Sequence, residues 1–109
     1  MKTDKSLLSG STAMLLLKLL SEKDMYGYEM IETLRERSEN VFELKAGTLY
    51  PLLHQLEEKS FLDAYESEAS GKTRKYYSIT KEGKKQLQQK EAEWKEYAGS
   101  VAKILAMEG

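Results

Sequence analysis

The stretch "KAGTLYPLLHQLEEK", Lys45 to Lys59, sets a threonine, a tyrosine, a proline and a histidine among regularly spaced leucines. With Leu49, Leu52, Leu53 and Leu56 on one side of a helix, a step of about 100° per residue puts Tyr50, Pro51, His54 and Glu58 on the other. Thr48, Tyr50 and His54 can hydrogen-bond phosphate oxygens or base edges, and the Pro51 ring can lie against a thymine methyl. Lys45, just ahead of the leucines, supplies a cation for a phosphate. Lys72, Arg74 and Lys75 form a second basic group in "SGKTRKYY". Strand alternation sends Arg74 and Lys75 to opposite faces, and arginine suits a narrow groove, so Arg74 with Lys72 is the favoured pair. Tyr26 of "YGYE", at a helix N-terminus, is a candidate for a backbone-phosphate contact, with Gly27 permitting close helix approach. The plainer alternatives are a Tyr50 packed on the hairpin, a merely exposed His54, an ordinary charged hairpin, and tyrosines 26 and 28 completing a core.

Other chemistries find less support. His54 is the only histidine and there is no cysteine, so no metal-ligand set, disulfide or cysteine nucleophile is expected. The serines lack a paired histidine spacing, the carboxylates fall on exposed helix faces, and no glycine-rich phosphate loop occurs. No catalytic residue and no cofactor follow from such a pattern. A cysteine-free chain suits a reducing cytoplasm. The apolar run Ala13 to Leu20 is short, interrupted by Lys18 and followed by "SEKD". It reads as a buried helix rather than a signal peptide or membrane span.

The 109 residues carry 17 Lys+Arg against 18 Asp+Glu, and the net charge of −1 gives no global sign of a polyanionic partner. Its distribution says more. From Lys72 to Lys90 seven residues are cationic and only Glu82 is acidic, whereas Glu22, Asp24, Glu29, Glu32, Glu36 and Glu39 concentrate earlier. A basic segment in a neutral chain is either an electrostatic footprint or a solvated lysine-rich helix start.

The elements that must position these residues follow from periodicity. "STAMLLLKLL", about Ser11 to Leu20, is apolar nearly all round and predicts an enclosed helix. "MYGYEMIETLRERS" predicts an amphipathic helix from Met25 or Tyr26, and the Lys45–Lys59 stretch a third. A start at Ala46 would leave Pro51 unable to donate to the Gly47 carbonyl; a start at Thr48 would place it in the first turn, where its missing N–H matters little. Two β-rich runs around Ala69-Ser70-Gly71-Lys72 predict a hairpin. From Thr80, a plausible N-cap, a last helix of roughly 40 Å carries Leu87, Trp94, Tyr97, Ala98, Val101, Ile104 and Leu105 on a heptad-like stripe. The order is that of a mainly α winged helix-turn-helix, three helices plus a two-stranded wing, followed by a long C-terminal dimerisation helix. Residues 1–79 would form the DNA-binding domain and 80–109 the dimerisation helix. A small domain cannot cover that stripe, and a second copy is the simplest partner.

"YGYEM", "GTLYPLLHQLEEK", "GKTRKYYSITKEG" and the later "EW" (Glu93-Trp94) together resemble the PadR family of bacterial transcriptional regulators, in the expected order over about Leu7 to Leu105. The short C-terminus is similar to the compact subgroup with one dimer-forming helix. The resemblance implies a homodimeric repressor on a dyad-symmetric promoter operator, often released by a small aromatic or hydrophobic effector. In some members tryptophans corresponding to Trp94 stack such ligands; the same residue could instead anchor the dimer. The chain departs from the family at Ser60, where glycine is frequent, at Gln55, where a basic residue is frequent, and at Thr73 in the wing. The rival class is a helical adaptor or small-molecule sensor that does not bind DNA.

Overall fold

The computed structural model describes residues 5–106, with side chains from residue 11 onward. The chain folds as α1 (Lys5–Glu22), β1 (Met25–Tyr26), α2 (Gly27–Arg37), α3 (Ala46–Glu58), β2 (Leu62–Ala69), β3 (Lys72–Ile79) and α4 (Lys81–Ala106). The expected winged helix-turn-helix with its long last helix is present, with one addition. The wing is three-stranded, ordered β1-β3-β2 and antiparallel throughout, because Met25 and Tyr26 pair with Tyr77 and Tyr76. The second helix therefore starts at Gly27 rather than at Met25 or Tyr26.

The leucine run of α1 forms the centre of the core. Leu16, Leu17, Leu19 and Leu20 are all buried while Lys18 between them is exposed, so a helix apolar on nearly every side is enclosed as its sequence demands. Met30 and Leu34 of α2, Leu49, Leu53 and Leu56 of α3, and Met25, Leu62 and Tyr77 of the sheet close around it. Arg37 at the end of α2 donates from both Nη atoms to Glu22 at the end of α1, at 2.8 and 2.5 Å. That guanidinium holds the Glu22 carboxyl below the usual carboxylate range.

Two devices set the wing. Ser70 and Gly71 both adopt positive φ (54° and 77°), the pair that a two-residue type I′ hairpin requires, and glycine meets the demand without strain. At the base, Thr80 caps α4: its Oγ1 accepts from the Gly83 N–H at 3.0 Å and donates to the Ser60 carbonyl at 2.6 Å. The cap thus ties the start of α4 to the α3–β2 turn.

Leu87 corrects an expectation. It was placed on the stripe facing a second copy, but it is only 6% exposed and belongs to the core of the chain itself. α1 packs against α4, whose buried residues Gly83 and Leu87 both lie in its first two turns. Beyond them α4 runs clear of the domain. The molecule measures 60 × 31 × 21 Å, and its radius of gyration of 15.6 Å exceeds the roughly 13 Å of a compact chain this long.

Candidate nucleic-acid interface

Four elements, β1, α2, α3 and β3, converge on one open cleft of about 580 Å³, bounded by Tyr26, Gly27, Tyr28, Tyr50, Arg74, Lys75 and Tyr77. Each reaches it for a local reason. In α3, Leu49, Leu53 and Leu56 are buried, so the helical step turns Tyr50, Pro51 and His54 outward. The helix starts at Ala46, which settles the position of Pro51: it lies inside the helix, not in the first turn. The intrahelical donor to the Gly47 carbonyl is consequently missing. The Tyr50 ring leans over Gly27 at the start of α2, where a Cβ would overlap its hydroxyl. The missing side chain at 27 is what leaves room for the Tyr50 ring.

Neither helix start is capped by a side chain. Tyr26 is the N-cap of α2 and Lys45 that of α3, both extended in backbone and neither making a side-chain cap hydrogen bond. The Lys45 carbonyl accepts from Thr48 and Leu49 at 3.0 and 2.9 Å. N-termini of this kind present first-turn N–H groups and the positive end of the helix dipole outward. Lys45, Thr48 and Pro51 are exposed on the same end of α3.

On the wing, the alternation of β3 separates Arg74 from Lys75 as expected. Arg74 lies over the Tyr26 ring with its Cζ 4.5 Å from the centroid. Lys75 turns towards α3, 5.4 Å from the Tyr77 ring centroid and 3.6 Å from Glu57 Oε1. Both nonetheless edge the cleft, but Lys75 is already partnered by a carboxylate and Arg74 is not held by any ion pair among those described. Burial pushes the pKa of the Tyr77 hydroxyl up from its ordinary value. Lys72 stands exposed beside the turn, paired in register with Ala69. His54 is exposed and within 2.7 Å of Glu58 Oε1, one turn along α3.

The expected interface residues thus form three groups. Tyr26, Tyr50, Arg74 and Lys75 share the cleft; Lys45, Thr48, Pro51 and His54 line the outer face of α3; Lys72 marks the wing tip. Tyr28 joins the first group against the core reading given to it, at 62% exposed on the cleft wall. Helical arithmetic could have found it, since it lies roughly 160° around α2 from buried Met30. Glu57 was missed because its pairing with Lys75 crosses from α3 to the wing.

Along α4, Trp94, Tyr97, Val101, Ile104 and Leu105 are all exposed, Leu105 to 80%, and Ala98 is half-buried. A shallow groove on this helix is lined by Glu93, Glu96, Tyr97, Ser100, Val101 and Ile104, with Trp94 outside it. Among the described residues no His, Cys, Asp or Glu cluster could hold a metal ion, and no helix is long and apolar enough to cross a membrane.

A helical core carrying an outward third helix and a hairpin whose basic strand borders it defines a winged helix-turn-helix DNA-binding protein. The chain belongs to the transcriptional regulator PadR-like family, whose model matches residues 16–89. A PadR family transcription regulator of Clostridium difficile is 40% identical, with a TM-score of 0.79 over 88% of this chain and 99% of that one. A transcriptional regulator of Clostridium thermocellum is 34% identical with a TM-score of 0.84, over 90% and 96%. An uncharacterised protein of Lysinibacillus sphaericus is 40% identical over 91 residues, covering 83% of this chain and 84% of its own. The protein is accordingly a transcriptional regulator of DNA-binding type.

Proposed function

We propose that the protein is a repressor that binds a dyad-symmetric promoter operator as a homodimer, with α3 in the major groove and the wing on flanking phosphates. The observation that carries this reading is the convergence of the uncapped start of α2, Tyr50 and Arg74 around one open cleft. Tyr50, Thr48 and His54 supply hydrogen bonds to bases or phosphates, Pro51 an apolar contact, and Lys45, Lys72 and Arg74 phosphate neutralisation. Lys75 contributes less than Arg74 because Glu57 already offsets its charge. Residues 1–79 act as the reading head and 80–109 join two copies through Trp94, Tyr97, Ala98, Val101, Ile104 and Leu105. Leu87 is the seam between the two parts. The half-sites then lie about one helical turn apart.

Release by a small aromatic or hydrophobic effector fits the exposed Trp94 beside that stripe. Such an effector acts by favouring a dimer with the wrong head spacing, and its coupling to DNA is reciprocal. The test is a gel shift with the protein's own promoter region at two salt concentrations, against competitor DNA. Salt-sensitive binding that survives competitor is expected, and Arg74→Ala should weaken it broadly and reduce the salt slope by about one. Absence of salt-sensitive binding would favour a protein-binding adaptor, and an unchanged slope would remove Arg74 from the phosphate contacts.

A further inference from the structure

One face of the sheet carries a row of aromatic contacts that begins at the cleft residues Tyr26 and Arg74 and continues across the strands to Tyr65. Tyr26, Tyr76 and Tyr65 are cross-strand partners on β1, β3 and β2. Tyr76 meets Tyr26 edge-on, with centroids 5.5 Å apart at 76°, and stacks on Tyr65 at 5.8 Å and 16°. At one end of the row Arg74 covers Tyr26. At the other end Tyr65 Oη donates to Asp24 Oδ2 at 2.5 Å, closing a contact 41 residues apart in sequence. Tyr65 is 43% exposed and Asp24 is exposed, so burial does not explain where they sit.

We infer that Asp24, Tyr65 and Tyr76 act as positioning residues which, through Tyr26, hold Arg74 in place for DNA; the inference rests on Arg74 being a wing contact. A free arginine carries several rotatable bonds and must be ordered when it binds a phosphate. Seating it over a ring whose own angle is fixed by the next two rings removes part of that ordering before DNA arrives. The hydrogen bond to Asp24 anchors the far ring to the α1–β1 turn. Because that turn leads directly into β1 and the start of α2, wing and helix are held in one register.

The test uses the full chain with Tyr65→Phe, which removes only the hydroxyl, and Tyr65→Leu, which removes the stacking ring. Because Tyr65 is partly exposed, both variants should keep the parental circular dichroism spectrum. The first readout needs no DNA: the Arg74 side-chain Nε–H resonance, shifted upfield by the Tyr26 ring, should move towards its free value in Tyr65→Leu and part of the way in Tyr65→Phe. An unmoved resonance in both would overturn the inference. The second is promoter binding, expected to weaken about two- to fivefold in Tyr65→Leu, the range of one exposed cation–π contact. In the Arg74→Ala background the same change should have no further effect. An additive loss would show that Tyr65 acts independently of Arg74 and would also overturn it. Should Arg74→Ala leave DNA binding unchanged, the DNA-contact reading fails at that residue, while the resonance still decides whether the tyrosine row orders Arg74.

Discussion

Ser60 occupies a backbone conformation that serine tolerates poorly. Its φ is 66°, and it closes α3 with the Phe61 N–H bonded to the Leu56 carbonyl and its own N–H to that of Glu57, each at 2.9 Å. This is the Schellman arrangement, in which the left-handed residue is usually glycine. Ser60→Gly should therefore stabilise the protein by about 0.5–1 kcal/mol, after glycine's extra chain entropy offsets part of the relieved strain. Thermal denaturation should show a midpoint a few degrees higher, and a lower one would contradict the assignment. A second prediction concerns the Tyr50–Gly27 contact. Tyr50→Phe keeps the ring seated and should lower operator affinity without changing the circular dichroism spectrum; Gly27→Ala forces the ring away and should lower it further. Equal affinity in Tyr50→Phe would take the hydroxyl off the contact surface. Of these residues, Tyr50 was legible because the apolar spacing of α3 fixes its outward face, and Gly27 because a glycine at a helix start invites a close neighbour. The Asp24–Tyr65 bond was not, since nothing local links positions 41 residues apart.

Elements were legible to the extent that their signals are local. The hairpin announced itself through Ser70-Gly71 and flanking β-rich runs, and α4 through its cap at Thr80. β1 did not, because two residues carry no period and become a strand only by pairing with Tyr76 and Tyr77. In α1 the apolar run marked the centre, but the helix extends from Lys5 to Glu22 rather than from Ser11 to Leu20. Serines and a glycine ahead of that run hide its start. The third helix raises a question of stability against use. Pro51, one and a half turns into α3, forgoes a hydrogen bond to Gly47, a cost of up to about 3 kcal/mol in a helix interior. Pro51→Ala should raise the unfolding midpoint and at the same time weaken promoter binding, as expected where a strained residue is part of a contact surface. A variant that gains stability and keeps full affinity would show the ring is not used.

At the scale of the molecule, the apolar stripe of α4 divides between two duties that spacing alone cannot separate. Leu87, Trp94 and Val101 recur at sevens, yet Leu87 is buried within the protomer and the other two are exposed. Which turn is covered from within depends on where α1 lies, and that is a tertiary fact. The division predicts two different failures. Leu87→Ala should cost about 2–5 kcal/mol of protomer stability, seen in chemical denaturation. Trp94→Ala should leave the fold intact and shift the mass measured by sedimentation equilibrium towards monomer. A loss of folding from the second, or of dimer alone from the first, would reverse the assignment. The 26 residues of α4 also have a mechanical meaning. They make a rod of about 39 Å. In the proposed dimer, hinged at its far end, a tilt of only about 5° moves the reading head by about 3.4 Å, the axial rise between successive phosphates of one strand. The bending stiffness of that rod would then limit how finely the two heads of the proposed dimer measure the distance between half-sites.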